Sequence, residues 1–311
     1  MTRCAITHFD GDPICLDFWL LLYEKYWKGE VDTIYADVCY DPTLVTPDLL
    51  GRQQKSLERF PEIKVEFIPE VHPPEWSNPR LVKQTTEDNI LLIESDGWIF
   101  GKGEVDKYFK VLEGGSCDLV AADYRLLQQD TIDLTGHSGF MRNFMFIKGD
   151  LLRSLDLDFF PRTFGGANYD CFGYISYQLA TRNLQILNIP SNLMVDDTSN
   201  DYANYPWLHI RQMNSSRLGW GNAGSGIFAG FRDNDPAKID EVKQEVYGSA
   251  PAEWQYRKAC AMRLLMVYAL RDSSPFEEMY KETMKKTVFA LGIDWDKVQG
   301  MVTYYRTVMN V

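Results

Sequence analysis

The amino-acid sequence predicts an α/β fold built on a mostly parallel sheet, and two observations predict it. Short apolar strands alternate with helical stretches through the first hundred or so residues, strand, helix, strand, helix, strand, helix, strand. That order implies right-handed crossovers between parallel neighbours. The fourth strand, Ile90-Leu91-Leu92-Ile93, is apolar at every position, as a central strand covered on both faces must be.

Residues 4–7 read as the first strand, which opens into the polar turn His8-Phe9-Asp10-Gly11-Asp12-Pro13. Residues 14–28 follow as a helix, with Leu16, Trp19, Leu20, Tyr23, Tyr26 and Trp27 at helical spacing. Residues 31–38 form the second strand. Thr46-Pro47-Asp48 starts the next helix with a cap and a proline at the first position. Residues 65–68 form the third strand. His72-Pro73-Pro74-Glu75-Trp76 reads as a rigid loop and 78–87 as a helix. After the fourth strand come a helix at 103–112, strands at 117–122 and 143–148, and a short helix at 150–155. A glycine-bearing loop at Phe164-Gly165-Gly166, a helix at 171–182 and a strand at 184–189 follow. Residues 196–235 are polar and glycine-rich, and the 219–230 stretch has the composition of a mobile lid. Three amphipathic helices at 254–270, 276–291 and 296–309 close the chain. The expected division is an α/β domain over 1–235 and a helical subdomain over 236–311.

Composition narrows the function. A formal net charge of −12 disfavours a generic nucleic-acid binder, which is normally basic. Residues 251–311 hold nine Lys/Arg against seven Asp/Glu, a charge of +2, which leaves −14 on residues 1–250. The six cysteines are scattered, with no C-x-x-C pair, which argues against a disulfide scaffold and structural zinc. Reduced thiols, a first strand that begins almost at Met1, and no apolar run of membrane-spanning length together lead us to expect a cytoplasmic protein. No G-x-G-x-x-G follows the first strand and no P-loop occurs.

The fourth strand runs directly into Glu94-Ser95-Asp96-Gly97. Strand alternation would point both carboxylates to one side. Paired acids at the carboxyl end of a central strand make a hard oxygen site for Mg²⁺ or Mn²⁺ carrying phosphate. That end of an open α/β sheet is where ligands bind. The competing reading is a strand capped by solvated acids. Asp170, before the helix at 171–182, reads equally as an N-cap or as a catalytic carboxylate.

In order and spacing these motifs resemble the nucleotide-sugar-dependent glycosyltransferases of the GT-A fold, over residues 3–215. The resemblance implies a Rossmann-like, mostly parallel central sheet followed by a helical C-terminal region. Ala5-Ile6-Thr7-His8-Phe9-Asp10 is similar to the family's first strand and loop, which holds the nucleoside. Asp37 resembles the acid that contacts base or ribose. Ile93-Glu94-Ser95-Asp96 stands where the family has D-x-D, with Glu in place of the first Asp. Gly165-Gly166-Ala167-Asn168-Tyr169-Asp170 resembles the loop before the acceptor-side helix, with one acid where the family has two. His209 lies where the family places a C-terminal histidine on the metal or diphosphate.

The resemblance therefore implies donor contacts at Thr7, His8, Asp10, Asp37, Lys83, Glu94 and Ser95. It implies metal ligands at Asp96, Glu94 and His209, and a catalytic base at Asp170. The cofactor would be Mn²⁺ or Mg²⁺, and the donor a nucleotide-sugar, with a UDP-sugar favoured. The acceptor would be a glycan or small molecule, or a 5-hydroxymethylated pyrimidine in phage DNA, shaped by residues 236–311. The alternatives are a non-catalytic binding module of the same fold and a nucleotidyltransferase.

Overall fold

The computed structural model describes residues 1–10, 16, 19–20, 22–40, 42, 47–70, 72–95, 97–99, 101–122, 141–160, 162–164, 167–169, 172–189 and 207–209. The predicted helical subdomain at 236–311 and the 219–230 segment lie outside them.

The described strands are β1 (Arg3–Asp10), β2 (Thr33–Cys39), β3 (Ile63–Ile68), β4 (Asn89–Ile93), β5 (Gly97–Ile99), β6 (Leu119–Ala122), β7 (Met141–Lys148), β8 (Arg162–Phe164), β9 (Ala167–Tyr169), β10 (Ile186–Ile189) and β11 (Trp207–His209). The first helix, α1, is π-helical over Tyr23–Trp27, where the Lys28 N–H donates to Tyr23 O at 2.9 Å. It is followed by α2 (Pro47–Leu57), α3 (Pro74–Val82), α4 (Glu104–Glu113), α5 (Gly149–Arg153) and α6 (Gly173–Ala180).

Seven strands form the central sheet in the order β10-β6-β7-β4-β1-β2-β3. Only β7 runs against its neighbours, β4 and β6, so the predicted mostly parallel α/β sheet is what forms. The step from β1 through β2 to β3 moves one way across the sheet, and the step from β3 to β4 crosses back to the far side of β1. With right-handed connections, that reversal sets α1 and α2 on one face and α3 on the other.

The buried side chains follow this division. Leu91 and Ile93 of β4 pack with Trp19, Tyr23, Trp27, Leu57 and Phe109 on one face. Ile90 and Leu92 pack with Leu81, Val82, Leu152, Ile175 and Leu179 on the other. Every residue of β4 is buried, which is why Ile90–Ile93 form an unbroken apolar run.

Several boundaries differ from the sequence reading, and β1 runs on through His8 and Phe9 to Asp10, residues read as a turn. Helix α3 begins at Pro74, inside the stretch read as a rigid loop, because a proline at the first helical position sacrifices no hydrogen bond. It ends at Val82, where Thr85 Oγ1 donates to the Val82 carbonyl at 2.8 Å. Helix α6 begins at Gly173, and its N-cap position belongs to Phe172, with φ +66°. The Phe172 ring is buried against Phe159, with centroids 5.2 Å apart. Asp170 lies outside the described residues. The loop read at 164–170 instead contributes the hairpin β8–β9, whose strands flank Gly165-Gly166 in sequence. Among the described residues no helix is long and apolar enough to cross a membrane.

Candidate active site

The reversal of strand order between β1 and β4 creates a topological switch point at their carboxyl ends, where open α/β sheets bind ligands. The last registered pair of these strands is Ile6 with Leu92. Thr7, His8, Glu94 and Ser95 follow immediately at that edge, and β2, parallel to β1, brings Asp37 opposite His8.

Strand alternation divides the β1 residues between faces. Thr7 shares the face of Ala5 and Phe9. It is fully buried, and its hydroxyl has no hydrogen-bond partner among the described residues. His8 shares the face of Ile6, under α3. Its Nδ1 lies 2.6 Å from Oδ1 of Asp37. An ionised carboxylate only accepts, so His8 is the donor.

Asp37 is 0 % exposed, and its Oδ2 accepts from Arg80 Nη2 at 2.7 Å. Burial works to raise the Asp37 pKa, but hydrogen bonds from His8, Ser77 and Arg80 outweigh it and hold the carboxyl below its usual range. Burial likewise works to lower Arg80, and its bonds to Asp37 and Glu66 raise it instead. The Arg80 guanidinium also lies 5.2 Å from the Trp76 ring centroid, and His72 stacks on the same indole at 3.9 Å. Two residues beyond Asp37, Cys39 is buried with Sγ 4.0 Å from Ser77 Oγ. Asp10 closes β1 opposite Cys39.

Strand β4 stops at Ile93, so Glu94 sits in a turn and not on an alternating strand. Its carbonyl accepts the Gly97 N–H at 2.8 Å. The alternation of β4 therefore ends before Glu94. Glu94 is half-buried and Ser95 buried. Asp96 lies outside the described residues. Strand β5 starts at Gly97 and pairs antiparallel with β11, with His209 opposite Gly97. Two segments more than a hundred residues apart in sequence thus meet beside the acidic turn.

Lys83 is not brought to this edge. Helix α3 leads from the carboxyl end of β3 back to the amino end of β4, so the residue that caps its C-terminus is carried to the opposite edge. There Lys83 is exposed and borders an open depression of about 620 Å³ with Arg153, Leu155, Asp156, Leu157 and Asp158.

Sequence reasoning missed Arg80, Ser77 and Cys39. The available signal was chemical: a carboxylate inside an apolar strand needs a cation. Arg80 stands three residues after Ser77 on the helix that crosses the same face.

No protein-family model matches the chain, and no curated protein matches it in sequence. Among solved structures, the chain is similar to the mannosyltransferase PcManGT from Pyrobaculum calidifontis in complex with GDP-Man and Mn²⁺. That match has 12% identity, 99% of this chain and 85% of that one covered, and a TM-score of 0.45. It is also similar to S. aureus TarS 1-349, at 12% identity, 99% and 92% coverage and a TM-score of 0.43. A third match is 4-diphosphocytidyl-2C-methyl-D-erythritol synthase from Anaerococcus prevotii, at 12% identity, 61% and 86% coverage and a TM-score of 0.36.

Proposed function

We propose that this chain is a metal-dependent glycosyltransferase that moves a sugar from a nucleotide-sugar to an acceptor hydroxyl. The observation that carries the reading is the pairing of β11 with β5, which sets His209 in register with Gly97, the residue after Asp96. An acid pair and a distant histidine are the residue types a bound diphosphate and its cation need, and the register of His209 with Gly97 supports this reading.

In this reading Glu94, Asp96 and His209 hold Mn²⁺ or Mg²⁺, which stabilises the negative charge that grows on the leaving diphosphate. His8, Asp37 and Ser95 shape the donor pocket, with Asp10 at its rim. Asp170 takes the proton of the acceptor hydroxyl as the new bond to the anomeric carbon forms and the bond from that carbon to phosphate breaks, which gives inversion. The donor taken first is a UDP-sugar. Residues 236–311 form the acceptor side, for a glycan or small molecule first and hydroxymethylated DNA second.

The test is thermal stabilisation of the full chain by a panel of nucleoside diphosphates and nucleotide-sugars, with and without Mn²⁺. A ligand at 100 times its Kd adds about 2.7 kcal/mol. The expected result is a shift with one nucleotide that requires Mn²⁺ and disappears in Asp96→Ala. Absence of any shift across the panel overturns the reading.

A further inference from the structure

The cluster under α3 is built from donors of a different kind from the acids at the end of β4. We infer that His8, Asp37 and Cys39 form a second, zinc-type metal site, which shares His8 and Asp37 with the proposed donor pocket.

Three observations carry it. One ligand atom from each residue lies within 4.8 Å of the others, and all three residues are buried. Their placement is dictated by the sheet. His8 is registered opposite Asp37, and Cys39, two residues along β2, projects to the same face. Imidazole, carboxylate and thiol together are a borderline-soft set suited to Zn²⁺ and poorly suited to Mg²⁺.

The surroundings are arranged to orient these groups. Arg80 occupies Oδ2 of Asp37 and leaves Oδ1 on the side of His8. Ser77 contacts both Asp37 and Cys39, as outer partners of metal ligands do.

Binding is a proton exchange. Cys39 releases one proton to solvent as its sulfur bonds to the ion, and the Nδ1 proton of His8 moves to Nε2 as Nδ1 becomes a ligand. In a tetrahedral zinc site the donors stand roughly 3.3–3.8 Å apart. The 2.6 Å contact between His8 and Asp37 must therefore open by about 1 Å as the ion replaces the shared proton, and Cys39 Sγ moves inward. The fourth position is left to water.

Co²⁺ is the probe, because thiolate-to-cobalt charge transfer absorbs in the near ultraviolet and needs a cysteine ligand. The full chain is expected to show this band on titration with one equivalent of Co²⁺, and to lose it when one equivalent of Zn²⁺ is added. Cys39→Ser is expected to abolish the band, and Cys4→Ser and Cys117→Ser to retain it. His8→Asn, which keeps the thiol, is expected to weaken Co²⁺ binding at least about 10-fold, and it serves if Cys39→Ser does not fold. No band in the unaltered chain, or a band that survives Cys39→Ser, overturns the site. Mn²⁺-dependent donor binding through Asp96 gives no thiolate band, so either proposal can fail without the other.

Discussion

Asp37 Oδ2 accepts a hydrogen bond from Arg80 Nη2 at 2.7 Å, and this bond ties β2, next to the edge of the sheet, to the helix that crosses it. The same carboxylate accepts from His8 through its other oxygen. Asp37→Asn keeps the shape and removes the charge, so Arg80 retains only Glu66 as an ionised partner. The expected cost is about 2 kcal/mol, because a partly buried guanidinium loses half its compensation. Urea denaturation at neutral pH checks it.

The pH dependence of that difference has a definite sign. The folded-state pKa of Asp37 lies below its ordinary value of 3.8. The stabilisation is therefore fully present above that value and is lost as pH falls through the folded pKa. Wild type and Asp37→Asn are expected to differ most at neutral pH and to converge as pH drops from 3.8 downward. A gap that stays constant to the acid limit would show that Asp37 is not the group that titrates.

Gly149 begins α5 under the segment that leads into β4. A Cβ there would stand 2.2 Å from the Glu87 carbonyl oxygen and 2.8 Å from the Arg153 guanidinium. The arginine has room to move, but the backbone carbonyl does not. Gly149→Ala is expected to lose about 3 kcal/mol through forced displacement of Glu87, read as a lowered Tm. Gly51→Ala, on α2 with nothing near its added methyl, serves as the contrast and is expected to be neutral or stabilising.

Arg3 clamps the start of β1 to α4. Its Nε and Nη2 donate to the two oxygens of Glu113 at 2.7 and 2.6 Å, and Nη1 donates to Asp106 at 2.8 Å. A lysine carries the charge without the fork. Arg3→Lys is expected to cost about 1 kcal/mol, and a double-mutant cycle with Glu113→Gln is expected to show positive coupling.

What was legible in the sequence follows from which interactions are local. β4 was legible because burial on both faces writes an apolar run into consecutive residues. The acidic turn was legible because Glu94, Ser95 and Asp96 are adjacent in the chain. The Asp37–Arg80 bond was not, because it joins β2 to α3 across 43 positions and depends on the crossover from β3 back to β4. The start of α6 was missed for a different reason. A left-handed Phe172 costs local strain, and the tertiary burial that offsets it is invisible in the residues around it. Lys83 falls inside the helix read at 78–87, whereas α3 ends at Val82 and Lys83 caps it at the amino edge of the sheet.

The two edges of the sheet are separable by experiment. His209 is in register with Gly97 at the carboxyl edge, and Lys83 caps α3 at the amino edge. If the donor binds at the switch point, only the first edge touches it. His209→Ala is expected to weaken Mn²⁺-dependent nucleotide-sugar binding at least about 10-fold, as loss of a group close to the cation does. Lys83→Ala is expected to leave the Kd within about twofold, since a screened charge at the far edge contributes little across the thickness of the sheet. Isothermal titration of both variants reads this directly. A large loss in Lys83→Ala with no change in His209→Ala would move the donor to the depression beside Arg153 and Asp158, and would leave the acids after β4 as solvated ends of a strand.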